Sequence, residues 1–115
     1  MKIKRVVPNL HAENPDRSLE VLGLLGFEKV MDHGWIVTMA AGGEHSPQVS
    51  VMTEDATAPV SPDVSIEVDD VEGAYALMKD NDVEIVHPLT YEEWGVHRFF
   101  VRDANGRVIN ILGHR

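Results

Sequence analysis

The second half of this chain repeats the first at a fixed offset, and this limits the available folds more than any other feature. The offset is 56, because the helix-capping type Asn14 falls on Asp70 (70 − 14 = 56). The same shift sets Leu10 on Ile66, Ala12 on Val68, Leu19 on Tyr75, Val21 on Leu77 and Leu22 on Met78. It also sets Gly26 on Asp82, Phe27 on Val83 and Val30 on Val86. These apolar positions meet apolar ones, and cap meets cap, with no insertion from Leu10 to Val30. A chain of this kind folds as two copies of one supersecondary unit.

The unit is legible from local signals. Residues 2–12 are rich in Val, Ile and Leu and read as a strand. Asn14, Pro15 and Asp16 start a helix as cap, preset first residue and first-turn acid. Leu19, Leu22 and Leu25, with Val21, form its apolar stripe, and Gly26 stops it. Strand signals follow at 27–31, 35–40 and 48–53, parted by turns at Asp32 to Gly34 and Gly42 to Pro47. Residues 54–62, with two prolines, form an extended linker. The order then restarts. A strand covers 63–68, and Asp69 and Asp70 cap a helix carrying Val71, Ala74, Leu77 and Met78 that ends at Asn81 and Asp82. Strands at 84–87, 97–101 and 107–112 follow, the last two joined by a hairpin turn from Asp103 to Gly106 with Asn-Gly at its centre.

This predicts an α+β fold: two tandem βαβββ modules (1–53 and 63–115) in one domain, forming curved mixed sheets around a cleft. A βαββαβ barrel is disfavoured because three strand signals, not two, separate the helices. At 115 residues the chain buries enough surface to need no staple. With no cysteine, disulfide frameworks, thiol nucleophiles and iron–sulfur ligation are excluded. The 19 acidic against 10 basic residues give −9, which argues against nucleic-acid binding. No apolar run reaches the ~20 residues of a membrane helix and no signal-peptide pattern opens the chain, so no membrane partner and a cytoplasmic location are expected.

Alternation assigns faces to the first strand of each module. Pro8, Leu10 and Ala12, with Val64, Ile66 and Val68, form an apolar face suited to lie under the helices. The opposite face carries Val7, Asn9 and His11 in one module and Asp63, Ser65 and Glu67 in the other. A polar second face on β-rich segments either meets water or lines a cavity. His11 and Glu67 share the offset of 56 and form a candidate acid–base pair, though both also read as solvated strand ends. Of His97 and Arg98 one faces inward, where Arg98 would hold a ligand carboxylate. Trp35 and Trp94 are candidate walls for a ring-containing ligand. Residues 91–94, Tyr-Glu-Glu-Trp, read as a solvated loop, or as a lid for a planar cation. Asn110 lies among apolar neighbours and is expected to line the cavity. His33, His45, His87 and His114 read as surface residues.

Asp16 to Ser18, Leu24 to Phe27, Ser65 to Asp70 and above all the closing stretch Trp94 to Leu112 resemble the vicinal oxygen chelate superfamily of glyoxalases, bleomycin-resistance proteins and extradiol dioxygenases. The resemblance covers essentially the whole chain. Ala104 stands where the family usually has proline, and Val21 and Leu22 where it has an aromatic pair. Catalytic members hold a divalent cation with four inward His, Glu or Gln side chains. The resemblance places those positions at Val7, about Val51, Asp63 and Asn110, two of which are aliphatic. A register slip brings Asn9 or His11 on the first strand and Ser65 or Glu67 on the fifth. The resemblance therefore implies no metal and no other cofactor. It implies a homodimer that binds or sequesters a small, partly aromatic, cationic molecule. The alternative is a divalent-metal-dependent lyase, isomerase or dioxygenase.

Overall fold

The computed structural model describes residues 1–42 and 46–114. Its element order is β1 (Ile3–His11), α1 (Pro15–Leu24), β2 (Glu28–Asp32), β3 (Ile36–Ala40), β4 (Gln48–Met52), then β5 (Val64–Val68), α2 (Val71–Asp80), β6 (Glu84–Tyr91), β7 (Val96–Arg102) and β8 (Val108–His114). These are two successive βαβββ runs, an α+β fold. The helices are offset by the 56 of the sequence repeat (71 − 15 and 80 − 24). Part of the expected turn from Gly42 to Pro47, and His45, fall outside the described residues.

Two compact units are present: Val7–Ala56, and Met1–Val6 together with Thr57–Arg115. In the first, the strand order is β2-β3-β4-β1. β1 runs parallel to β4, with Asn9 opposite Ser50, and β3 runs antiparallel to β4, with Ser50 opposite Thr38. Leu19, Leu22 and Phe27 pack on Val37, Met39 and Val49 to form its core. α1 starts at Pro15 after Asn14, but Asn14 makes no side-chain cap hydrogen bond. The expected stripe is only half used, because Val21 and Leu25 remain exposed.

The apolar face of β1 does lie on the α1 side, since Leu10 pairs with Val51, but its burial is the reverse of that expected. Val7 and Asn9 are buried, whereas Leu10 and Pro8, expected under a helix, are exposed. The cause is the placement of α1, whose packed side chains meet β3 and β4. Val51 is also corrected. It stands opposite Val37, on the side that α1 covers, so β4 presents Ser50 and Met52 to the other face.

In the second unit β5 is parallel to β8, and β8, β7 and β6 follow as antiparallel neighbours. The first residues of the chain lie beside β5: Lys2 accepts from the Asp69 amide and donates to Asp69 Oδ1. Val71 and Ala74 of α2 pack with Val68, Phe99, Val101 and Ile111, and Tyr75 meets Phe99 edge-on. Asp70 caps α2 by accepting from Gly73 N at 2.9 Å. The Asp103 turn forms as expected, its carboxylate accepting from the amides of Asn105 and Arg107. β6 runs to Tyr91, beyond the expected end at His87. Its register shifts twice, before and after His87, so strict alternation could not trace it. Pro88 is tolerated there because β6 is the edge strand.

The two units share one row of paired residues. Asn9–Ser50–Thr38–Met31 in the first matches Ser65–Asn110–Phe100–His87 in the second. The offset along that row is 56 at the first strand (65 − 9) and at the second (87 − 31), but 62 at the third (100 − 38). Six residues are therefore added between β6 and β7 relative to the first module, in the stretch that carries Glu92, Glu93 and Trp94.

Candidate functional site

That stretch forms a site around one guanidinium. Arg98 and Phe100 of β7 alternate with Phe99 and Val101, which face α2, so Arg98 lies on the opposite face. Its side chain is 1% exposed. Arg98 Nε donates to Glu92 Oε1 at 3.0 Å, and Nη2 donates to Thr57 Oγ1 at 2.8 Å. The guanidinium carbon sits 5.0 Å from the Trp94 ring centroid and 4.8 Å from that of Phe100. Glu92 Oε1 also meets His87 Nε2 at 3.0 Å, and the His87 ring lies 5.1 Å from Phe100. A charge this deep persists only when paired and hydrogen-bonded, and here both conditions hold.

An open pocket of about 550 Å³ lies against this network, lined by Thr57, Tyr91, Glu92, Glu93 and Trp94. Arg98 contacts three of those five residues. On the other side of β7, His97 stacks on Tyr91 with ring centroids 3.6 Å apart. Two consecutive residues of one strand thus hold four of the five lining side chains. Glu93 is exposed and makes no hydrogen bond or ion pair among the described residues.

Several expected site residues fall here and others do not. Trp94, His97 and Arg98 belong to this cluster. Arg98 spends Nε and Nη2 on Glu92 and Thr57, so these donors organise the wall instead of gripping a ligand carboxylate. His87 is corrected from surface to buried, at 9% exposure, because Glu92 and Phe100 enclose it. The solvated reading of 91–94 is corrected for Glu92, which is 6% exposed, while Tyr91 and Glu93 are exposed as expected. His87 was missed because it has no alternation or spacing signal, and Glu92 was weighed only within the 91–94 stretch, with no signal for its pairing with Arg98.

Asn110 Nδ2 donates to Ser65 Oγ at 3.0 Å, while its buried Oδ1 has no partner among the described residues. Asp63 is tied to the start of β8, Oδ2 accepting from Val108 N at 2.9 Å. Glu67 is buried beside Arg5 at 2.6 Å, His114 at 3.0 Å and Lys4 at 3.8 Å, not a solvated strand end. Burial pushes its carboxyl up, but the His114 hydrogen bond and the Arg5 charge outweigh this and hold it below the usual range. In the other unit, exposed His11 lines a pocket of about 500 Å³ with Ala12, Glu13, Thr53 and Glu54. Trp35 is half-buried ahead of β3 and lines neither pocket. Asn9 is buried opposite Ser50, whose hydroxyl pairs with Thr38 at 2.8 Å.

The donor set does not fit the superfamily's divalent cation. Val7 has no donor atom, and Ser50, which takes the place expected of Val51, is a hydroxyl already paired with Thr38. Asp63 Oδ2 is engaged by Val108 N, and Asn110 offers only a neutral amide oxygen, a weak donor beside the imidazoles and carboxylates that hold such a cation. Among the described residues no three His, Cys, Asp or Glu side chains are grouped so as to hold a metal. No described helix is long and apolar enough to cross a membrane.

Solved structures share this fold. A Legionella pneumophila protein described as an NAD-dependent benzaldehyde dehydrogenase superposes with a TM-score of 0.74 at 14% identity, over 96% of this chain and 100% of that one. A glyoxalase/bleomycin resistance protein/dioxygenase superfamily member from Vibrio splendidus 12B01 gives 0.70 at 20% identity, over 97% and 99%. A Methanosarcina mazei protein gives 0.67 at 18%, over 100% and 95%. At these identities the likeness shows the fold alone. Among curated proteins none matches in sequence. The family model of the Glyoxalase/Bleomycin resistance protein/Dioxygenase superfamily matches residues 16–111, and the chain belongs to that superfamily.

Proposed function

We propose that this protein binds a small, planar, partly aromatic cation without a metal, in the pocket beside Arg98. The observation that carries the reading is the pocket wall itself: two aromatic rings, Tyr91 and Trp94, interleaved with two carboxylates, Glu92 and Glu93. A flat apolar surface next to negative charge suits a ring-bearing cation, which gains stacking and Coulomb attraction together. Arg98 and His97 hold the rings in place beforehand, which lowers the ordering cost of binding. The mismatch of Val7, Ser50, Asp63 and Asn110 to metal ligation supports a binder over a metal-dependent lyase, isomerase or dioxygenase.

The test is titration with an acridinium dye, followed by tryptophan fluorescence and calorimetry. Trp94→Ala is expected to abolish binding, while Trp35→Ala, which does not change a residue lining that pocket, retains it. Unchanged affinity in Trp94→Ala refutes the reading. Stoichiometric Ni, Zn, Fe or Mn in protein purified without chelators would restore the enzyme alternative. The reading includes a homodimer. α1 leaves Val21, Leu24 and Leu25 at 59%, 84% and 74% exposure, an apolar face suited to a second copy. Leu24→Glu is expected to shift sedimentation equilibrium toward monomer, and a monomeric wild type rejects the dimer.

A further inference from the structure

We infer that Glu93 alone sets the charge preference of the pocket, and that Glu92, although it lines the same wall, contributes no net attraction for a cation. The inference rests on the proposed binding pocket and assigns its specificity residue. Glu92 is 6% exposed, and its Oε1 accepts from Arg98 Nε at 3.0 Å and meets His87 Nε2 at 3.0 Å. A buried carboxylate at that distance from a buried guanidinium forms a locally neutral pair, whose outward field largely cancels. The positive charge under the Trp94 ring is likewise cancelled by Glu92, so the ring presents an apolar face to the pocket and not a cationic one.

Glu93 differs in each respect. It is exposed, it lines the pocket, and it has no ion pair or hydrogen bond among the described residues. Its charge is therefore uncompensated at the rim of an aromatic wall whose other members are pinned by β7. Exposure limits its worth, because an ion pair in water is screened. The expected contribution is a preference among ligands of the same shape, with stacking on Trp94 and Tyr91 providing the affinity that all of them share. The added residues between β6 and β7 bring the holding acid and the selecting acid side by side.

The test compares N-methylquinolinium with neutral quinoline at mildly alkaline pH and low ionic strength, in wild type, Glu93→Gln and Glu93→Arg. Glu93→Gln is expected to weaken the cation relative to quinoline by about two- to fivefold, the range for a solvent-exposed ion pair. The salt dependence of cation binding is expected to weaken with it, the remainder coming from the net negative charge of the chain. Glu93→Arg should reverse the preference. Because Glu93 touches no other side chain by hydrogen bond or ion pair, both variants are expected to keep the wild-type urea midpoint. An unchanged cation-to-neutral ratio in Glu93→Gln overturns the inference while the pocket stands. Failure of wild type to bind either probe overturns the pocket reading, and the inference with it.

Discussion

Replacing Arg98 with methionine tests whether the guanidinium holds the second unit together. Methionine keeps much of the apolar stem beside Phe100 and Trp94, so the change isolates the charged head. That head sits 3.0 Å from Glu92 and 2.8 Å from Thr57, at 1% exposure. Its loss leaves the Glu92 carboxylate buried with His87 as its remaining side-chain partner among those described above. Removing one member of a buried pair costs about 3–5 kcal/mol, most of it the stranded charge. The lost Thr57 hydrogen bond falls within that range, since a neutral bond contributes only about 1 kcal/mol net. Against a total stability of about 5–15 kcal/mol this is a large fraction. At about 4 °C per kcal/mol for a domain of this size, the melting temperature should fall by about 12–20 °C. Urea unfolding of wild type, Arg98→Met, Glu92→Gln and the double variant forms a closed cycle. If the cost is the stranded charge, the double variant is more stable than either single one. Additivity within about 0.5 kcal/mol, or an Arg98→Met cost below about 1 kcal/mol, refutes the account.

Further outcomes follow from other parts of the fold. Glu67 has a lowered carboxyl pKa, so it stabilises the fold above its ordinary value of 4.5, and this is lost as the pH falls through the lower folded value. The stability gap between wild type and Glu67→Gln should be widest near neutrality and close in strong acid, which urea melts across that range will measure. At the start of α2, a Cβ on Gly73 would lie 2.2 Å from Asp70 Oδ2, so Gly73→Ala displaces the cap. Asp70→Ala should cost about 1 kcal/mol. Gly73→Ala should leave wild type nearly unchanged, the lost cap offsetting the gain in helix propensity, yet stabilise the Asp70→Ala background by up to about 1 kcal/mol. Thermal melts of the four proteins check this, and equal effects in both backgrounds contradict it.

The sequence determined the parts of this fold that depend on local periodicity. The offset of 56 survives in both helices and in the first two strands of each module, because helix caps, prolines and apolar spacing act on their own neighbourhoods. The Asp103 to Gly106 turn forms as its residues dictate. The superfamily too was legible, in the stretch from Trp94 to Leu112. Tertiary packing decided what those signals could not reach. α1 settled over β3 and β4, so Leu10 is exposed while Val7 and Asn9 are buried, reversing the burial that alternation favoured. The register shifts in β6 and the six residues added after it broke the repeat, and with it the surface reading of His87 and the solvated reading of Glu92. A buried carboxylate needs partners, and those of Glu92, His87 of β6 and Arg98 of β7, are brought to it by strand pairing. Thr57, from the linker, and Arg98, from β7, meet 41 residues apart in the chain. No period in the sequence records such a meeting, and it is the meeting on which the candidate site depends.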